Sequence, residues 1–168
     1  MYMGKIATFF GAAKTDKASK EYLDSVYIGN ILAECGYRVY NGGYGGLMKA
    51  VSLGASAVGA EVEGFTCATF GFTKGNLYLT KYTVAPDIYH RLRILISSSD
   101  VFIVQVGGIG TLAELCLTLD ECRRREKKPL ICLIGNHWQW FLDCPLIQDN
   151  VKEMVTVVTD VNQLHLLL

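Results

Sequence analysis

The chain has 168 residues, 51% of them hydrophobic, and its formal net charge at pH 7 is zero. This length and apolar content predict a single domain, residues 1–168, with a substantial core. The balanced charge argues against a broad nucleic-acid-binding surface. Because the sequence has neither a long apolar tract nor the layout of a signal peptide, we expect no membrane association and a cytoplasmic location.

Strand-like and helix-like segments alternate along the chain. Strands are predicted at residues 6–10, 37–40, 61–65, 77–84, from 101, 130–134 and 154–158, and helices at 17–35, 46–58, 86–98, 110–127, 138–142 and from 160. Pro86 suits a helix start. Short connections between alternating strands and helices predict an α/β fold, a Rossmann-like doubly wound parallel sheet flanked by helices. Ligands of such sheets bind at the carboxyl ends of the strands, where the winding direction switches.

The most informative segment is VFIVQVGGIGTLAE, from Val101 to Glu114. Its apolar run predicts a buried strand, and Gly107 and Gly108 allow a sharp turn close to a ligand. Gly110 and Thr111 are expected to open a helix, whose free N–H groups form an anion site. Glu114 is expected in the first helical turn, on a face turned away from the core. The segment therefore predicts a phosphate held beside a carboxylate.

A second glycine-rich segment, NGGYGGLM from Asn41 to Met48, follows the second predicted strand. Its spacing differs from the dinucleotide fingerprint, and it lacks the Gly-Lys-Ser/Thr of a Walker A loop. Tight turns alone would explain two of its glycines, but less readily four within five residues. We expect both loops to converge on one phosphate.

These segments resemble motifs of the LONELY GUY family. GGIGTLAE (107–114) is similar to that family's P-G-G-x-G-T-x-x-E motif, and NGGYGGLM is similar to its G-G-G-x-x-G-L-M segment. IATFFGAA, which contains Gly11, and the helix around Arg91 extend the resemblance over most of the chain. The resemblance implies a Rossmann-like fold and a homodimer or higher homo-oligomer. It also implies hydrolysis of a nucleoside 5′-monophosphate, either a cytokinin riboside 5′-monophosphate or an AMP-like nucleotide, to free base and ribose 5-phosphate.

The resemblance also assigns roles to individual residues. Glu114 would stabilise the cation-like ribosyl transition state, and Arg91 would help bind and position the nucleotide. No metal and no cofactor would be required. The implied substrate-binding residues are Gly11, Gly42, Gly43, Gly45, Gly46, Met48, Gly107, Gly108, Gly110 and Thr111.

Simpler explanations of the two implied catalytic residues stay open. Glu114 could be favoured by the helix dipole alone, and Arg91 could pair with Asp87 one turn earlier. Trp138 and Trp140 are expected to pack or to form an interface rather than stack on a base. The six cysteines lack metal-ligand spacing and are expected to be small buried residues, not a disulfide framework.

The sequence departs from the family pattern at several positions. Val106 replaces the motif proline, Asn41 replaces a glycine, Leu92 replaces the lysine after Arg91, and Ala12-Ala13 replaces two serines. These losses favour an alternative within the same superfamily, a non-catalytic nucleotide- or molybdenum-cofactor-binding carrier protein. Retention of both Arg91 and Glu114 favours the hydrolase.

Overall fold

A seven-stranded parallel sheet forms the centre of the protein in the computed structural model, which describes residues 4–168. The first three residues of the predicted domain lie outside the described residues. The strands are β1 (Ile6–Phe10), β2 (Arg38–Asn41), β3 (Val62–Cys67), β4 (Lys81–Ala85), β5 (Val101–Val104), β6 (Leu130–Ile134) and β7 (Val155–Val158). The helices are α1 (Lys20–Glu34), α2 (Gly46–Ala57), α3 (Ile88–Ser97), α4 (Ile109–Cys122), α5 (Gln139–Leu142), α6 (Asp149–Lys152) and α7 (Leu164–Leu167).

The strand order β4-β3-β2-β1-β5-β6-β7 confirms the predicted doubly wound fold. The chain winds outward from β1 to β4 and then crosses back to β5, so the winding direction switches between β1 and β5. The carboxyl ends of these two strands are joined to the loops that contain Gly11 and Gly107. The predicted ligand position at the switch point therefore coincides with a glycine-rich loop.

Alternating strand residues face two separate hydrophobic cores. Ala7 and Phe9 of β1 face the core beneath α1 and α2, whereas Phe10 faces the core beneath α3 and α4. This alternation follows from the two-residue period of a strand, and apolar residues on both faces explain the continuous apolar runs in the sequence.

The structure corrects several predicted boundaries. Helix α3 begins at Ile88 rather than at Pro86, because the Asp87 side chain accepts a hydrogen bond from His90 N at 2.8 Å and caps the helix. Strand β3 continues to Cys67, and α4 ends at Cys122. Helix α6 was not predicted from the sequence.

Glycines set the close packing of α1 on α2. A Cβ atom built on Gly54 would lie 1.8 Å from the Val26 carbonyl oxygen, which no side chain tolerates without a backbone shift. Gly54→Ala should therefore lower the free energy of unfolding by about 1–3 kcal/mol in urea titrations, despite alanine's higher helix propensity. Ala57→Ser, at an exposed position of the same helix, should change it by less than about 0.5 kcal/mol. Equal stabilities of the two variants would contradict this explanation.

Candidate functional site

The loop after β1 joins the two glycine-rich loops into one surface. Gln105 N donates to Phe10 O at 2.9 Å, and Ala12 N donates to Val106 O at 3.0 Å, which ties this loop to the one after β5. Leu47 N donates to Ala12 O at 2.8 Å, which ties it to the start of α2. The carboxyl ends of β1, β2 and β5 thus carry a single connected backbone surface.

The loop after β5 presents an open group of backbone donors, which we call the α4 cradle (Gly108–Thr111). Gly108 is the residue before α4, and the first hydrogen bond of the helix is donated by Leu112 N to Gly108 O at 3.2 Å. The N–H groups that precede Leu112 are therefore left without a helical acceptor. Gly108 and Gly110 are exposed, and a Cβ on either would meet nothing within 4 Å. The cradle has the geometry of an anion site.

Thr111 and Gly107 are packed against each other at the base of the cradle. Thr111 is only 4% exposed, and a Cβ built on Gly107 would lie 2.1 Å from its Oγ1. Gly107 is therefore required for Thr111 to pack there. The structure brings together the four predicted residues of this loop.

The loop after β2 has fewer solvent-exposed residues than expected. Gly42, Gly43 and Met48 are buried, as is Gly11 in the loop after β1, whereas Gly45 and Gly46 are partly exposed at the start of α2. Gly43 and Gly46 adopt positive φ angles of 79° and 57°, which a residue with a side chain rarely adopts. In the described structure, the four buried residues shape the surface rather than face solvent.

Asn41, which departs from the family pattern, has a structural role in this turn. It is fully buried; its Oδ1 accepts a hydrogen bond from Gly43 N at 2.8 Å, and its Nδ2 donates to Ser52 Oγ at 3.0 Å. An asparagine side chain in this position mimics a backbone turn. The substitution therefore retains the turn.

Arg91 and Glu114 form a buried ion pair between α3 and α4. Arg91 Nη1 lies 3.2 Å from Glu114 Oε1, and the two side chains are 6% and 13% exposed. Arg91 Nε also donates to Phe65 O at 2.6 Å. A Cβ on Gly42 would lie 2.0 Å from Arg91 Nη2, so glycine there makes room for the guanidinium group. Arg91 therefore pairs with Glu114, not with Asp87.

Glu114 lies in the second turn of α4, not in the first turn as expected, because the helix already begins at Ile109. Glu114 is also expected to face away from the core, but its side chain is only 13% exposed. Thr111 and Thr118 are buried together with Leu115, Leu119 and Cys122, whereas Cys116 is exposed. The buried Thr118 hydroxyl is satisfied by donating to Glu114 O at 2.7 Å.

Burial raises the pKa of Glu114 to about 7, although the charge of Arg91 and its hydrogen bond act in the opposite direction. A carboxyl group whose pKa is higher in the folded than in the unfolded state binds more protons when folded. Its contribution to stability is therefore largest below about pH 4.5 and is lost as the pH rises towards 7.

Substituting Glu114 by glutamine removes this titration but keeps an oxygen that can accept the Arg91 bond. Between pH 4.5 and 8, the wild type should lose about 2–3 kcal/mol of unfolding free energy relative to Glu114→Gln. Urea titrations across this range measure the difference. A wild type that instead gains stability relative to the variant as the pH rises would contradict the raised pKa.

Three aromatic side chains beside Arg91 were missed by sequence reasoning. Tyr44, Phe70 and Phe72 cluster, with the Tyr44 ring centroid 6.1 Å from that of Phe70 and 5.1 Å from that of Phe72. The Arg91 guanidinium carbon lies 5.8 Å from the ring centroids of both Tyr44 and Phe70. The F-G-F pattern of residues 70–72 in a predicted loop was the available signal. Trp138, by contrast, is buried in the core as expected.

Within residues 4–168, no group of three or more His, Cys, Asp or Glu side chains is placed to hold a metal ion. Over the same part of the chain, no helix is both long enough and apolar enough to cross a membrane. All six cysteines are free thiols.

Comparison with known proteins identifies the family. The model of the SLOG cluster4 family matches residues 5–165. The chain belongs to this family. A relative of this SLOG protein, an uncharacterized protein of Archaeoglobus fulgidus, is 31% identical over 133 residues, which cover 74% of this chain and 81% of the relative.

Solved structures share the fold over nearly the whole length of this SLOG protein. The molybdenum cofactor binding protein of Rippkaea orientalis has a TM-score of 0.78 at 21% identity and covers 99% of this chain and 96% of its own. The molybdenum cofactor carrier protein of Chlamydomonas reinhardtii has a TM-score of 0.73 at 23% identity, with coverages of 94% and 92%. At these identities the likeness shows the fold alone. The family match confirms the predicted LONELY GUY-like superfamily.

Proposed function

We propose that the protein binds a phosphorylated, nucleotide-like ligand and carries it without hydrolysis, the molybdenum cofactor being the leading candidate. The ligand's phosphate would lie on the N–H groups of the α4 cradle, and Gly45 and Gly46 would close its other side. The neighbouring structures named for molybdenum cofactor binding support this choice. That cofactor is a pterin with a terminal phosphate, so it matches an anion site beside aromatic rings.

The proposal rests on a contrast between two parts of the site: the backbone donors of the α4 cradle are free, whereas the carboxylate of Glu114 is already paired with Arg91. Gly108 and Gly110 face open space, whereas Glu114 is 13% exposed and already bound to Arg91. Leu92, at the position of the lysine expected from the resemblance, is 8% exposed and packs in the core beneath α3 and α4. The backbone donors of the cradle are therefore retained, whereas one charged group and two hydroxyls that the resemblance leads us to expect around the ligand are missing.

Phosphoribohydrolase activity is the second candidate, and the Arg91–Glu114 pair favours it. A carboxyl group with a pKa of about 7 is suited to acid–base chemistry near neutral pH. In that case Glu114 and Arg91 would be the catalytic residues, and a nucleoside 5′-monophosphate would be the substrate.

One experiment separates the two candidates. The purified protein is incubated with AMP, with a cytokinin riboside monophosphate and with a pterin monophosphate; free base is measured by chromatography and binding by calorimetry. Binding without base release is expected and supports the carrier. Base release that is abolished in folded Glu114→Gln would establish the hydrolase instead. If none of the three ligands binds, both candidates are wrong.

We further infer that the protein acts in the cytoplasm as a homodimer or higher homo-oligomer, without binding nucleic acid. Exposed apolar side chains support self-association: Leu166 in α7 is 88% exposed and Tyr89 in α3 is 78% exposed. Val161 and Leu164, in the same C-terminal segment as Leu166, are buried in the protein's own core and are not available for such a contact. Light scattering during size-exclusion chromatography measures the subunit number.

A further inference from the structure

Two phenylalanine rings are exposed beside the candidate site. Phe70 is 44% exposed and Phe72 is 63% exposed, and both lie in the loop after β3. With Tyr44, the residue between Gly43 and Gly45, they form what we call the aromatic platform (Tyr44, Phe70, Phe72). Burying a phenylalanine side chain stabilises a folded protein by about 1.5–3 kcal/mol. Two such rings exposed to water beside a candidate ligand site therefore call for an explanation.

Hydrogen bonds hold the platform in place. Tyr44 Oη accepts a hydrogen bond from Cys67 N at 2.8 Å, which anchors the tyrosine ring over the end of β3. Thr66 Oγ1 donates to Thr73 O at 2.7 Å and closes the loop that carries both phenylalanines. Gly71, with φ of 82°, turns the backbone between the two rings. The rings are therefore presented by a closed loop rather than by a free segment.

The platform adjoins the groups expected to bind the ligand. Arg91 lies under the rings of Tyr44 and Phe70, and the same arginine holds Glu114. Tyr44 lies three residues before Leu47, whose N–H donates to Ala12 O, and Ala12 N in turn donates to Val106 O in the loop after β5. A ligand on the α4 cradle that extends towards Arg91 would therefore approach the aromatic rings.

We propose that Phe70 and Phe72 stack on a flat fused heterocycle of the ligand, so that the loop 66–73 selects purine or pterin monophosphates over phosphate esters without such a ring. This inference rests on the proposed function, because it assigns the ring-binding part of the same ligand site. Stacking on aromatic side chains requires only a flat π face, and each stacked ring contributes enough to change affinity about 5- to 100-fold.

The test compares a ligand that has the ring with one that lacks it. Calorimetry gives the Kd of AMP, of a pterin monophosphate and of ribose 5-phosphate for the full-length protein and for the double variant Phe70→Ala/Phe72→Ala. The double variant should weaken the better-bound ring ligand at least about 10-fold and change the Kd of ribose 5-phosphate less than about twofold. Phe72→Trp should retain the ring affinity, whereas Phe72→Leu, which is apolar but not aromatic, should not.

Control variants separate stacking from other effects. Tyr82→Ala removes an exposed aromatic side chain from β4, outside the platform, and should leave all three Kd values unchanged. Equal losses for the ring ligand and ribose 5-phosphate would show that the loop supports the phosphate cradle, and would overturn the proposal. If the double variant binds the ring-containing ligand as tightly as the wild type, the stacking proposal is wrong, even when the subunit number changes. The proposed function would then be unaffected. If the wild type binds none of the three ligands, the proposed function fails and this inference fails with it.

Discussion

Valine at both Gly108 and Gly110 is expected to weaken binding of a phosphorylated ligand about 100-fold or more without unfolding the protein. A Cβ on either glycine meets no atom within 4 Å, and neither residue has a positive φ, so the added side chains fit the protein itself. They would instead fill the space over the free N–H groups of the α4 cradle. Each lost charge-assisted hydrogen bond costs about 1.5–3 kcal/mol of binding energy.

Calorimetry with AMP or a pterin monophosphate measures this loss, and urea denaturation checks the fold. The unfolding free energy should stay within about 1 kcal/mol of the wild type, since valine is a poorer N-cap than glycine but a better helix residue. Ala57→Val places the same side chain at the far end of α2 and should leave ligand affinity unchanged. A folded double variant that binds as tightly as the wild type would rule out the cradle as the phosphate site.

Arg91→Met should destabilise the protein by about 3 kcal/mol at pH 8. The substitution leaves Glu114 as a mostly buried carboxylate without its partner, and it also removes the donor to Phe65 O. The loss should shrink as the pH falls below about 7, because Glu114 is then protonated even in the wild type and the ion pair contributes less. Urea titrations at pH 5.5 and pH 8 measure both values.

The double variant Arg91→Met/Glu114→Gln provides the matched comparison. Removing the unpaired charge should restore part of the stability at pH 8 and have little effect at pH 5.5. A loss in Arg91→Met that is the same at both pH values, and that is not reduced by Glu114→Gln, would mean that Arg91 stabilises the fold by packing alone.

The sequence was sufficient for the fold because hydrophobic periodicity is a local property. Continuous apolar runs such as those of β1, β5 and β6 are typical of strands buried on both faces, and all seven strands were predicted. Helix starts were predicted less well. The boundary at Ile88 depends on the Asp87 cap, and Pro86, which is compatible with a helix start, was taken for the first residue of the helix.

The candidate site shows where local patterns stop being informative. The glycine spacing in residues 107–111 predicted an anion cradle, since backbone turns and helix starts are determined by neighbouring residues. The resemblance to a family added Arg91 and Glu114. Neither predicted that the two side chains bind each other, because residues 91 and 114 lie on different helices and meet only when α3 and α4 pack on the same face of the sheet.

The sequence by itself thus determined a parallel doubly wound sheet and a glycine-rich loop at its switch point, the loop that we propose binds a phosphate. Tertiary structure alone decided that Glu114 is paired and largely buried, that Gly42 makes room for Arg91, and that Phe70 and Phe72 lie exposed beside them. The physical reason is that burial and electrostatic pairing depend on contacts between distant segments. A turn or an apolar strand, by contrast, depends on residues that are adjacent in the chain.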